Sequence, residues 1–99
     1  MLDFYLIRDD QPKPNYPEKV GLVFIGGLDN QTFENLKAKD AIDDRFDFYS
    51  DFRWGTDLIK QIRDKVFQKK LSNDQDVQKL FELLDIADEQ QCGVIAYAD

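Results

Sequence analysis

The chain contains no histidine and only one cysteine, Cys92. The first absence removes Ser–His–Asp and Cys–His catalysis, together with every metal site that needs an imidazole. The second excludes an intrachain disulfide, a four-cysteine zinc site and a CxxC redox pair, so stability has to come from packing. Cys92 follows an acidic predicted helix, where the dipole disfavours a thiolate, and it is read as chemically inert. No stretch approaches the ~20 apolar residues that a bilayer requires. The opening MLDFYLIRDD lacks the basic start and apolar run of a signal peptide, so a cytoplasmic setting is the expectation. GLVFIGG has adjacent glycines without the GxxxxGK[ST] or GxGxxG spacing, and no phosphate cradle is expected. DAIDD and SNDQD lack the pattern of a calcium loop, and neither a metal nor a cofactor is expected.

Positive charge is also short. Thirteen basic side chains face 20 acidic ones, 16 of them Asp, for a formal net charge of −7. Such a surface repels phosphate backbones and anionic lipid, which argues against nucleic-acid and membrane partners. It attracts a cationic protein, most strongly at low salt.

What remains is a mixture suited to folding, with 42% hydrophobic and 33% charged residues, and residues 1–99 are read as one domain. Leu2–Arg8 is apolar on both sides and reads as an interior strand. Pro12, Pro14 and Pro17 make residues 9–19 an extended loop, with Tyr16 laid onto the core. Val20–Ile25 reads as a second strand, closed by a tight turn at Gly26–Gly27. Asp29 or Asn30 caps a helix over Gln31–Lys39 that turns Phe33 and Leu36 inward. In RFDFYSDFRW, residues 45–54, aromatic and charged positions alternate. That period predicts a strand through about Tyr49, with Phe46, Phe48 and Phe52 in the core and Trp54 left at the margin by Gly55.

A second helix, Asp57–Leu71, begins at a Thr56 cap. The third, Asp74–Glu89, begins at a Ser72–Gln75 capping box, and Val94–Ala98 forms a final strand. Residues 55–73 carry net +3 and residues 74–99 net −6, so the consecutive helices oppose each other in charge. The expected fold is α+β, a small mixed or antiparallel sheet with about three helices packed against it.

Function is narrowed rather than named by these residues. The leading expectation is a non-enzymatic protein-binding module with an acidic surface that occupies a basic partner. A toxin-neutralising (immunity) protein is one concrete form of that mechanism. The partner-binding candidates are Asp40, Asp43, Asp44, Asp47, Tyr49, Asp51, Arg53 and Trp54, in which carboxylates meet cations and an aromatic anchors the contact. The acids of the third helix, Asp74, Asp76, Glu82, Asp85, Asp88 and Glu89, form a separate candidate face. One alternative is a structural, self-associating subunit forming a homo-oligomer. Another is a small carboxylate-dependent hydrolase: Asp47 and Asp51 stand roughly 13 Å apart if the segment stays extended, beyond a glycosidase pair's usual separation, whereas a turn at Ser50 brings them closer.

Overall fold

The computed structural model describes residues 1–14 and 21–98. The expectations placed on Tyr16, Pro17 and Val20 lie outside the described residues. Four strands, β1 (Leu2–Ile7), β2 (Phe24–Leu28), β3 (Phe52–Trp54) and β4 (Gly93–Tyr97), form one antiparallel sheet in the order β2-β1-β4-β3. Three helices, α1 (Asn30–Ala38), α2 (Thr56–Gln68) and α3 (Gln75–Glu89), pack against it. The α+β architecture is the expected one, and the sheet is antiparallel throughout.

Strand periodicity sorts the side chains. Leu2 pairs with Leu28, Phe4 with Ala96, and Leu6 with Val94, which in turn faces Trp54. These rows point toward the helices and join Phe33, Leu36, Ile59, Val66, Leu80 and Leu84 in one apolar cluster. The intervening row, Arg53–Ile95–Tyr5–Phe24, lies on the opposite face. There Ile7 and Ile95 are buried without belonging to the main cluster.

The helix ends follow one scheme. Asp29 caps α1 by accepting from Thr32 N at 2.7 Å, and Asp74 caps α3 by accepting from Asp76 N and Val77 N. The predicted Ser72–Gln75 box is replaced by Asp74, which stands immediately before the first helical residue. Each helix closes with paired bonds of the Schellman type, from Asp40 and Ala41, Lys70 and Leu71, or Gln91 and Cys92 back to the last turn. Asp40, Lys70 and Gln91 all adopt positive φ, the left-handed position usually given to glycine. Leu71 therefore packs back as the residue after the turn, and α2 stops at Gln68 rather than at the expected Leu71.

Two strand expectations shift. Gly26 and Gly27 do not close β2 but lie inside it, next to a register shift opposite Phe4 and Tyr5. Gly26 has φ +144°, a backbone conformation that favours glycine, and a Cβ there would stand 2.7 Å from Leu83 Cδ2 and push that side chain aside. The predicted strand through Tyr49 is absent. Residues 43–50 form turns, and the strand begins only at Phe52.

Candidate functional site

The segment from Asp40 to Trp54 carries all eight predicted contact residues, and the fold divides them. Asp43 Oδ1 accepts from Arg45 N at 2.9 Å while Phe46 N donates to Asp43 O. Four residues on, Asp47 Oδ1 accepts from Tyr49 N at 3.1 Å while Ser50 N donates to Asp47 O. These are tandem Asx turns, in which the short carboxylate captures backbone donors that a sheet ladder would have used. This competition is why the alternating pattern does not produce a strand.

Each turn directs a phenylalanine inward. Phe48 is buried against Phe33 and Phe46 is half-buried against Phe52 and Trp54, with ring centroids 5.1–6.0 Å apart. Tyr49 points outward, 72% exposed, with its ring set edge-on to Phe48 at 5.2 Å. Asp44 is exposed and makes no hydrogen bond or ion pair among the described residues. Asp51 Oδ1 accepts from Ala98 N at 2.8 Å and fastens the loop's end to the chain beyond β4. Asp43, Asp44, Asp47, Tyr49 and Asp51 thus share one exposed loop.

The other three predicted residues are placed differently. Asp40 occupies the left-handed position after α1 and faces Lys65 at 3.6 Å and Lys69 at 3.4 Å, so its charge is offset locally. Trp54 is fully buried among Phe4, Phe46 and Phe52, which corrects its assignment to a contact surface. Arg53 turns to the opposite sheet face and donates to the carbonyls of Arg8 at 2.5 Å, Gln11 at 2.6 Å and Asp9 at 3.1 Å. The cause is strand alternation: from Phe52 onward the chain pairs with β4, and successive side chains leave on opposite sides.

The acids of α3 are largely engaged. Asp74 and Asp76 hold Lys39 at 2.5 and 3.0 Å, while Asp85 and Asp88 hold Arg63 at 2.8 and 2.6 Å. Arg63 also lies 4.8 Å over the Phe81 ring, so it concentrates the attraction between α2 and α3 in one side chain. Glu82 and Glu89 remain exposed without an ion pair among the described residues.

Asp9, Asp29 and Asp74 are held below the ordinary carboxylate value, and each serves a helix N-terminus. The Lys39 hydrogen bond is the largest cause at Asp74, and the Thr32 backbone N–H at Asp29. For Asp9 the cause is Thr56, whose hydroxyl and backbone N–H, the latter at 3.0 Å, both donate to its carboxylate. Lys39 is correspondingly raised, chiefly by its bond to Asp74. Asp9 had no local signal in the sequence. It reaches α2 from the turn after β1, whereas the predicted Thr56 cap proves to be the first helical residue.

Beside the loop lies a cleft of about 300 Å³ between residues 41–46 and α2. Ala41, Phe46, Leu58 and Ile62 give it apolar walls, while Asp43, Arg45, Gln61 and Lys65 supply polar groups. It contains one carboxylate, so no acid pair converges there. Among the described residues, no group of three or more acidic or cysteine side chains is arranged to hold a metal ion. No helix of the described residues is long and apolar enough to cross a membrane. Comparison with protein families, curated proteins and solved structures returned no match.

Proposed function

We propose that this domain is a non-enzymatic protein-binding module that engages a basic protein through the exposed 43–51 loop, in the manner of a toxin-neutralising protein. Tyr49 carries the reading. A large aromatic that stays 72% exposed while its backbone is tied to Asp47 and its ring rests on buried Phe48 is already ordered for contact. Such a side chain loses little conformational freedom on binding and is a favoured hot-spot type. The surrounding Asp43, Asp44, Asp47 and Asp51 supply acceptors for lysine and arginine. The overall charge of −7 adds long-range attraction to a cationic partner.

Affinity capture from the source cells tests the reading with the wild-type domain, Tyr49→Ala and Asp44→Lys, at low and at physiological salt. Asp44→Lys touches no core contact, and an unchanged thermal midpoint checks that Tyr49→Ala, which uncovers an edge of Phe48, leaves the fold intact. The expected result is one basic protein retained by the wild type and lost from both variants. Retention by both variants, or no basic protein at either salt, refutes the loop as its binding surface.

A further inference from the structure

Four arginines occur in the chain, and three have engaged guanidinium groups. Arg8 faces Asp10 at 3.6 Å, Arg53 donates to three carbonyls, and Arg63 bridges two aspartates. Arg45 differs. Its guanidinium carbon lies 4.8 Å from the Phe46 ring centre, and among the described residues no acceptor takes its side-chain N–H groups. Its neighbour Asp43 has Oδ1 committed to the Arg45 backbone N–H. Stacking restrains the planar fork while leaving its donors open, which favours two-point recognition of a carboxylate.

Arg45 and Phe46 both line the cleft against α2. Across it stands Lys65, whose 3.6 Å contact with Asp40 is long, and Asp40 is shared with Lys69. Gln61 adds a side-chain amide that has no partner among the described residues. The walls between these groups are Phe46, Leu58 and Ile62, and a volume of about 300 Å³ is at the small end of ligand sites.

We propose that this cleft binds a small organic monocarboxylate with a flat apolar body, of the size of benzoate. The carboxylate accepts from the Arg45 fork and faces the Lys65 ammonium, while the body lies on Phe46, Leu58 and Ile62. Asp43 at the rim selects against more highly charged anions such as phosphate, which also have no apolar part to bury. The cleft shares Asp43, Arg45 and Phe46 with the 43–51 loop but uses neither Tyr49 nor Asp44, so the variants that test the protein contact leave it intact.

Titrating the 15N-labelled intact domain with benzoate, benzamide, acetate and inorganic phosphate decides the matter. Benzoate is expected to give saturable amide shifts confined to residues 41–46 and 58–65. Its affinity should exceed that of each other probe by about tenfold or more, the scale of one charge-assisted bond or one buried ring. Arg45→Gln should weaken benzoate about tenfold or more. Arg45→Lys, which keeps the charge without the fork, should fall between. The thermal midpoint of both variants reports that the fold is intact. Benzamide or phosphate binding as tightly as benzoate, absence of saturable shifts, or indifference to Arg45→Gln in a folded variant would each overturn the proposal.

Discussion

The two faces of the sheet are covered by different physics. On the helix side, Phe4, Trp54, Val94 and Ala96 meet three helices in one apolar cluster. On the other side, Ile7 and Ile95 are equally buried, and residues 8–14 are held to the sheet by polar ties. Arg53 grips the carbonyls of residues 8, 9 and 11, Tyr97 OH donates to Pro14 O at 3.0 Å, and Asp9 accepts from Thr56. The first cover is non-directional and spread over many side chains. On the second, beside the edge-on rings of Tyr5, Phe24 and Tyr97, directed bonds tie residues 42 to 83 positions apart. Burial alone does not reveal which kind of cover a residue has.

Removing a large ring from the helix side tests the stronger cover. Trp54→Ala should cost about 3–5 kcal/mol in chemical unfolding, with every probe moving together, because the cavity opens in the shared cluster. On the opposite face, Arg53→Met keeps the bulk and deletes the donors. A loss of about 1–2 kcal/mol is expected, with faster hydrogen exchange concentrated between residues 8 and 14. Uniform acceleration across the sheet would show that the two covers are not separable.

Acid offers a third way to separate them. Asp9, Asp29 and Asp74 all have folded-state values below the ordinary carboxylate value, so the unfolded chain takes up protons first as pH falls. Their stabilisation is therefore complete above about pH 4 and disappears as pH drops through the lowered values. Asp9→Asn should make the acid loss shallower, and below pH 4 wild-type exchange should rise first at residues 8–14. The smallest effect is expected from Tyr97→Phe, which removes the donor to Pro14 O and should cost about 0.5–1 kcal/mol in the same unfolding measurement.

Local signals explain what could be read from the residues alone. Asp29 was legible because it directly precedes the periodic run containing Phe33 and Leu36. Asp74 was hidden behind Ser72, whose spacing to Gln75 imitates a capping box. The helix ends were obscured because Asp40, Lys70 and Gln91 take a position where glycine is the usual marker. At the candidate site, the outward Asp47 and Tyr49 and the inward Phe48 agree with the alternation, although turns rather than a strand produce it. Trp54 misleads because the following Gly55 suggests release from the strand, whereas pairing with Val94 carries the indole into the core. Asp9 carries no local signal and Arg53 reads as a contact residue, because each acts on partners more than 40 positions distant. The cleft likewise requires α2 to lie beside the loop, a relation that residue spacing does not encode.

The two middle strands, Leu2–Ile7 and Gly93–Tyr97, come from opposite ends of the described chain. During synthesis, β1 can pair early with β2, but its second neighbour emerges only after all three helices. Trp54 and Phe52 likewise wait for β4, because among the described residues their strand has no other neighbour. β4 is thus the strand that joins the two halves, and assembly should proceed by late closure rather than by growth from the first strand.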